Sequence, residues 1–322
     1  GLGPGAVLWA ALIFAVCHGL VYYNRYYVQE TMLVFFSFGA IVCGWRYLRR
    51  PHLGWALLFG LCIGLVHATK ETCVVIYAAM AGALVIAWGW ARWRDGARVG
   101  LRGWIQPGHA IAVVLVAVAV SVVFFTSFFT HWRGPLDSIL TYSTYIQRAE
   151  GAGSTSLHDK PWYYYFQLLL YTYRTAGPRW SEAPIVVLAL IGMVGAFVRK
   201  TPAHDAEAQP ADDLHLLRFL AAYTVLLTVA FSMIPYKTPW NMLLFLHGFV
   251  VMAGVGAAAL VRGVRRLTPR AMSARARLVL GHTNAAVVTV LLLLAVGFLA
   301  RQSYLGNFRY PADVRNPYVY AH

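Results

Sequence analysis

The sequence predicts an all-α integral membrane protein that crosses the bilayer about nine times. Of the 322 residues, 59% are hydrophobic and only 12% are charged, and the mean hydropathy is +0.58. Apolar runs of about 20 residues match the hydrocarbon thickness of a bilayer. A lone span satisfies its own backbone hydrogen bonds only as a helix. We see no internal repeat, and we treat 1–322 as a single domain.

Nine apolar runs define the predicted spans. They are 5–23, 31–47, 53–69, 72–91, 108–130, 183–198, 214–234, 240–261 and 283–300. The longest connection, 131–182, is predicted to hold an interfacial amphipathic helix at 135–148, where apolar residues repeat on one face. Residues 149–157 predict a flexible linker or lid, and Pro161 predicts the first turn of another helix.

The basic residues predict the orientation. With residue 1 in the cytoplasm, most Lys and Arg residues fall in the loops 46–52, 92–107, 199–218 and 262–282, as the positive-inside rule requires. The net charge of +15 therefore indicates topology and lipid contact rather than nucleic-acid binding. The four cysteines lie in apolar runs without zinc-ligand spacing. We predict a multi-pass protein of the cytoplasmic membrane.

Three polar clusters lie between apolar runs on the predicted outer side, together with the long loop 131–182. They are 24–30, 67–72 and 235–240. Ionisable groups at a membrane edge are costly and are usually retained for function. We therefore predict that the three clusters form one site with an extracytoplasmic active face.

Glu30 is the candidate catalytic residue of the first cluster, accompanied by Arg25 and Tyr26 as substrate-binding candidates. A carboxylate at this position can ligate a divalent cation, accept a sugar hydroxyl or take a proton. A divalent cation is accordingly the one candidate cofactor, with Glu30 as its ligand. The alternative is an acid that only stabilises a helix N-terminus.

Lys70 and Glu71 are the candidates of the second cluster. A lysine at the interface can hold a phosphate as a point charge, or it can simply extend to the lipid headgroups. Glu71 either contacts substrate or neutralises Lys70. His67, Lys70 and Glu71 share a helix face if the helix continues through them.

Lys237 is the central candidate of the third cluster, between two prolines, with Tyr236 and Asn241 beside it. This segment predicts phosphate or carboxylate binding, or else a plain interfacial turn. His158 lies in the long loop and is a substrate-binding candidate, although a solvated histidine is the alternative. The sequence has no GxSxG, Walker or GxGxxG motif, which disfavours a soluble hydrolase or a nucleotide-driven enzyme.

The order of these motifs resembles the GT-C membrane glycosyltransferases, which include protein O-mannosyltransferases and the aminoarabinose transferases of lipid A. Residues 24–36 resemble their Ser-Arg-aromatic segment with its following acid and Leu-Phe-Phe. Residues 68–70 resemble the Thr-Lys segment, and 236–240 resemble the Lys-X-Pro-aromatic segment before a late span. Within this superfamily the chain is similar to a prokaryotic group labelled flippase-activity-associated proteins, with which it shares Tyr-Lys-Thr-Pro-Trp and Pro-Trp-Tyr-Tyr-Tyr.

The resemblance implies a polyprenyl-phosphate-linked sugar as donor and an acceptor at the outer face. By position, Glu30 would be the second acid of the site, and Lys70 and Lys237 would hold the donor phosphate. Two departures follow. The family acid at Glu30 is commonly Asp, and the principal catalytic acid of the family precedes the region where this chain begins. We therefore expect a fragment, truncated at both ends, that is inactive alone although its full-length parent is an enzyme.

Two other functions stay open on the sequence. The chain could bind or transport a lipid-linked sugar without catalysis, using the same lysines. Charges on both membrane sides would favour transport, and here the clusters gather on one side. A structural membrane scaffold is the third hypothesis. The donated sugar, the acceptor, the metal dependence and the oligomeric state are not predicted.

Overall fold

The computed structural model describes residues 2–96, 105–149, 158–174, 176–199, 213–269 and 271–320. Residues 150–157 of the predicted linker and much of the predicted inside loops at 92–107 and 199–218 lie outside these ranges.

Helices dominate the described chain, which confirms the all-α membrane fold. The helices are α1 (Pro4–Val16), α2 (His18–Arg25), α3 (Glu30–Arg49), α4 (Leu53–Thr69), α5 (Cys73–Asp95), α6 (Pro107–Phe125), α7 (Gly134–Ala149), α8 (Tyr164–Leu170), α9 (Ala183–Val198), α10 (Leu214–Met233), α11 (Leu243–Arg265) and α12 (Ala274–Tyr304). A 3-10 turn, Pro239–Met242, leads into α11, and a π-helix, Leu305–Arg309, follows α12. The strands β1 (Thr172–Tyr173) and β2 (Arg179–Trp180) form a small antiparallel hairpin.

All nine predicted apolar segments form helices, but fewer are long enough to span a bilayer alone. Among the described residues, six helices pass that test by length and composition, and the bent pair α1–α2 would be a seventh. The helices α4 and α9 are shorter, with 17 and 16 residues. At about 1.5 Å per residue they reach only about 25 Å, against a hydrocarbon core of roughly 30 Å.

The first predicted span, 5–23, is not one straight helix. Its axis bends by 58° between α1 and α2, and Cys17 at the break has an extended backbone. The Gly19 N–H, at the start of α2, donates to Glu182 Oε1 at 3.2 Å. The break leaves this N–H without an acceptor inside the helix, and the Glu182 carboxylate, which precedes α9, accepts it instead.

Two further predicted boundaries were wrong. The span at 108–130 ends at Phe125, because Ser127, Phe128 and Phe129 adopt left-handed φ angles of 49°, 57° and 69° that turn the chain toward α7. Pro161 does not begin a helix, since α8 starts at Tyr164. The predicted end of α4 at residue 69 is confirmed. Because Lys70 is extended, the helix does not continue, and His67, Lys70 and Glu71 do not share a helix face.

The described chain divides into two compact units, each built from separate stretches of sequence. The first unit comprises Gly1–Tyr26, Tyr163–Val225 and Phe245–His322. The second unit comprises Tyr27–Trp162 and Leu226–Leu244. The single-domain assignment stays a prediction.

Helix α4 is the centre of the second unit and packs against both α3 and α6. Two glycines allow the close approach to α6. A Cβ on Gly60 would lie 2.6 Å from the Val113 carbonyl oxygen, and one on Gly64 would lie 2.8 Å from that of Ala117. Because neither position tolerates a side chain without moving α6, the spacing of the two helices is fixed by sequence.

Candidate functional site

Three side chains from distant parts of the sequence meet in the second unit. Glu30 is the first residue of α3, Lys70 follows α4, and Asn241 lies in the 3-10 turn before α11. The Lys70 ammonium forms a salt bridge with Glu30 Oε1 and donates to Asn241 Oδ1 at 3.0 Å. We call these three residues the carboxylate–lysine site. Glu30 and Lys70 belong to the first and second predicted polar clusters, and Asn241 directly follows the third.

The carboxylate–lysine site is largely withdrawn from solvent. Glu30 is 1% exposed, and the Lys70 side chain is 15% exposed. A buried carboxylate or ammonium is tolerated when it is paired and hydrogen-bonded. The pairing partner of Lys70 is Glu30, so the idea that Glu71 neutralises Lys70 was wrong. Glu71 is half-buried, and its backbone carbonyl faces the Cys73 thiol.

The carboxylate–lysine site keeps open hydrogen-bonding capacity. Glu30 Oε2 is buried and has no hydrogen-bond partner among the described residues. Lys70 uses two of its three ammonium hydrogens on the partners described above. Buried polar atoms are usually satisfied. An open acceptor beside an open cationic donor can receive a ligand with both a hydroxyl and an anionic group.

Thr72 is a residue that the sequence reasoning did not single out. It lies two positions after Lys70 and is the N-cap of α5, but its side chain makes no capping hydrogen bond. Its Oγ1 is buried without a partner among the described residues. The available signal was a threonine directly before an apolar helix, which by itself predicts a cap and not a ligand contact.

Lys237, Tyr236 and His158 come together elsewhere in the second unit. The Lys160 N–H donates to the Pro235 carbonyl at 3.2 Å, and the Lys237 N–H donates to the His158 carbonyl at 3.0 Å. The His158 ring packs on Tyr236 with 4.6 Å between ring centroids. We call residues 158–160, paired in this way with 235–237, the strap. It fixes the end of the long loop against the turn that precedes α11.

The Lys237 ammonium is buried within the strap. It donates to the Lys160 carbonyl at 3.1 Å and to the Ile234 carbonyl, and the residue is 1% exposed. Burial lowers the pKa of Lys237, and the nearby Asp159 carboxylate opposes that shift. In this conformation the lysine satisfies backbone carbonyls, so a phosphate at Lys237 would have to replace them.

Replacing Lys237 with Met should loosen the strap. The variant keeps the aliphatic stem but removes the donors to the two carbonyls, and hydrogen bonds to charged groups contribute about 1.5–3 kcal/mol. We expect amide hydrogen exchange at Lys160 and position 237 to become at least about tenfold faster. Lys160→Met is the matched control, because Lys160 contributes only backbone groups to the strap. Equal exchange in wild type and Lys237→Met would contradict this role.

Arg25 and Tyr26 lie in the first unit. Arg25 Nη1 donates to the Asn307 carbonyl at 2.6 Å, and its guanidinium lies 4.6 Å from the centroid of the Phe308 ring. Tyr26 stacks with Tyr22 at 6.3 Å between centroids and is 54% exposed. Arg25 therefore attaches the end of α2 to the π-helix. The role of both residues in substrate binding stays a prediction.

The residues around Glu30 do not form a complete cation site by themselves. Hard divalent cations take six or more oxygen ligands, whereas Glu30 offers one open oxygen and its other oxygen faces an ammonium group. No group of three or more His, Cys, Asp or Glu residues suited to a metal occurs in the part of the chain that the structure describes. We assign no step to a metal.

The N-terminal part of the chain matches a known protein family. Residues 4–133 match the family model described as dolichyl-phosphate-mannose-protein mannosyltransferase, which confirms the resemblance to the GT-C membrane glycosyltransferases. The matched region contains Glu30 and Lys70. It does not include His158, Tyr236, Lys237 or Asn241. No curated protein and no solved structure matches the chain.

Proposed function

We propose that the chain is the membrane part of a glycosyltransferase that takes its sugar from a polyprenyl-phosphate-linked donor at the outer face of the cytoplasmic membrane. The family match supports a membrane glycosyltransferase with a lipid-linked sugar. The carboxylate–lysine site is the observation that carries the proposal further. It combines the buried Glu30 Oε2, which has no hydrogen-bond partner among the described residues, with the Lys70 ammonium, which has one hydrogen left to donate. Both groups lie at the ends of apolar helices.

The proposed reaction is a displacement at the anomeric carbon. A hydroxyl oxygen of the acceptor forms the new bond to that carbon while the bond to the phosphate oxygen breaks, and the hydroxyl proton passes to the departing phosphate. The leaving group is the polyprenyl phosphate. Negative charge grows on the departing phosphate, so a fixed cationic donor beside it lowers the barrier.

The residues of the carboxylate–lysine site suit these demands. The third ammonium hydrogen of Lys70 is assigned to the donor phosphate, as its point charge and position allow. Glu30 Oε2 is assigned to a hydroxyl of the sugar, which would supply the hydrogen bond that this oxygen otherwise lacks. Asn241 Oδ1 accepts a second hydrogen bond from the Lys70 ammonium and positions it. Lys237 is a second phosphate ligand only if the strap opens.

The test is donor turnover by the purified full-length protein in lipid vesicles. Polyprenyl-phosphate-mannose is the probe, with serine- and threonine-rich peptides as acceptors. Release of free polyprenyl phosphate together with a sugar-bearing peptide supports the proposal. A donor that binds but is never consumed, across peptide and lipid acceptors and with other sugars, would overturn it.

Transport of a lipid-linked sugar is the second candidate, and the broken helix pair α1–α2 favours it. Transporters use discontinuous helices with buried polar groups at the break, and Glu182 occupies that position here. Movement of a fluorescent polyprenyl-phosphate-sugar between leaflets, without sugar transfer, would select this candidate over the enzyme.

A further inference from the structure

The connection between α11 and α12, in the first unit, carries a dense group of arginines. Residues 262–282 contain six arginines and no Asp or Glu. Four of them are exposed and form no ion pair with an acid in the part of the chain that the structure describes, namely Arg265, Arg266, Arg275 and Arg277. This connection therefore presents positive charge that no neighbouring carboxylate compensates.

Contacts between the two helices fix the position of Arg265. Its Nη2 lies 2.7 Å from His282 Nε2, and His282 Nδ1 lies 2.8 Å from the Leu278 carbonyl oxygen. One tautomer of the ring, with its hydrogen on Nδ1, satisfies both contacts. A Cβ on Gly281 would lie 2.6 Å from the Arg265 carbonyl oxygen, so α11 and α12 approach closely here. The Arg265 guanidinium is thus oriented by the protein and keeps further N–H donors.

One face of α12 joins this basic group to an apolar surface. Positions three, four and seven residues apart lie on the same side of a helix, so Arg275, Leu278, Val279 and His282 share one face. Leu278 is 63% exposed and Val279 is 59% exposed. The same face continues through apolar, exposed positions within 286–293. It therefore offers cationic donors at one end and an uncovered apolar strip beyond them.

The length of α12 places this face across the edge of the membrane. The helix has 31 residues, which at about 1.5 Å per residue exceeds a hydrocarbon core of roughly 30 Å. No charged residue occurs within 283–300, so this stretch fits the hydrocarbon, and 274–282 extends into the headgroup layer. The arginines lie at headgroup depth and the apolar strip at the depth of the acyl chains.

We propose that this face binds an anionic phospholipid, whose phosphate accepts hydrogen bonds from Arg265 and Arg275 and whose acyl chain lies along Leu278 and Val279. Charge complementarity selects this partner, because guanidinium groups bind phosphate oxygens in pairs and basic segments at a membrane edge attract anionic headgroups. A zwitterionic lipid brings its own cation close to the arginines and fits less well. The inference goes beyond the proposed function and does not rest on it.

The test is photolabelling of the full-length protein in phosphatidylcholine nanodiscs that contain a small fraction of phosphatidylglycerol with a diazirine in its acyl chain. The double variant Arg265→Gln/Arg275→Gln removes both proposed phosphate contacts. Arg266→Gln/Arg277→Gln is the matched control, because it removes the same charge from the same connection. Arg277 lies two positions after Arg275 and therefore points to the opposite side of α12.

We expect label on α12 in wild type and in the control, and at least about tenfold less in Arg265→Gln/Arg275→Gln. Unlabelled phosphatidylglycerol should compete, whereas phosphatidylcholine and inorganic phosphate should not. Arg275→Gln alone should lower the labelling by at least about threefold. Its side chain has no contact among the described residues, so this loss cannot come from a disturbed turn.

Each other outcome overturns the proposal. Equal losses in the two double variants would show a diffuse attraction of the whole connection rather than a site. Equal competition by phosphatidylcholine would show ordinary lipid contact. Competition by inorganic phosphate would assign the arginines to a soluble anion, and undiminished labelling of Arg275→Gln would show that the proposed face does not hold the headgroup.

Discussion

The Glu30→Gln variant of the full-length protein is expected to lose at least about 100-fold in sugar transfer, the size of effect seen when a fixed polar group at a reaction centre is removed. The amide retains the shape of the side chain but not its charge. It also leaves the Lys70 ammonium largely buried without its counter-charge. Breaking a buried ion pair by removing one partner costs about 3–5 kcal/mol. We therefore expect a lower melting temperature as well.

The double variant Glu30→Gln/Lys70→Met separates the two effects. It removes both charges, so the unpaired ammonium disappears and the melting temperature should return toward the wild-type value. Transfer should stay abolished, because the open carboxylate oxygen and the cationic donor are both gone. Recovery of transfer in the double variant would show that Glu30 serves only to neutralise Lys70 and that the Lys70 ammonium is not needed for transfer.

Glu71→Gln is the matched control for these variants. It changes the same residue type one position from Lys70, where the carboxylate is half-buried and the structure records no ion pair for it among the described residues. Both transfer and melting temperature should stay near wild type. If Glu71→Gln loses as much transfer as Glu30→Gln, the assignment of Glu30 rather than Glu71 as the functional acid is wrong.

The sequence predicted where the helices lie better than how each one ends. Hydropathy locates an apolar run, because burial in lipid requires it. The break at Cys17 has no local proline, and the group that accepts the freed Gly19 N–H is Glu182, 163 residues away. Such a contact depends on the packing of the first unit and leaves no signal in residues 5–23.

In the candidate site, the sequence likewise predicted the important residues but not their contacts. Glu30 and Lys70 stood out because each is a charge beside an apolar run. Their pairing depended on α4 ending at Thr69, which directs Lys70 toward Glu30 and away from its neighbour Glu71. The Lys237 contacts were also not predictable, since its acceptors are backbone carbonyls, which every residue carries.

The contribution of Glu182 to the stability of the first unit is expected to fall as pH rises from about 4.5 to about 7. Burial of Glu182 raises its pKa from 4.5 to about 7, although hydrogen bonds from Gly19 and Cys17 partly offset the shift. Below pH 4.5 the carboxyl group is protonated in the folded and unfolded states alike. Above that pH the unfolded state releases the proton before the folded state does. The free energy of unfolding therefore falls by up to about 3 kcal/mol by pH 7 and does not fall further above it.

The groups near Glu182 decide whether a neighbouring charge could change its effect on stability. Cys17 and the Gly19 N–H approach it from the break between α1 and α2, and Tyr318 of the C-terminal segment lies near it. None of these is a cation. The salt bridge to Arg315 lowers the pKa of Asp313 to about 2, so Asp313 affects stability only at pH values below this window.

Glu182→Gln should remove this contribution, which is measured as the difference in melting temperature between the variant and wild type in detergent from about pH 4.5 to about pH 8. The amide oxygen can still accept the Gly19 N–H, while nothing at that position ionises. The variant should match wild type at pH 4.5 and exceed it at pH 7.5, and Glu71→Gln should keep the wild-type slope. If the difference between the two proteins is the same at pH 4.5 and pH 7.5, Glu182 does not ionise in this range. If the difference grows with pH, ionisation of this one carboxyl group accounts for it.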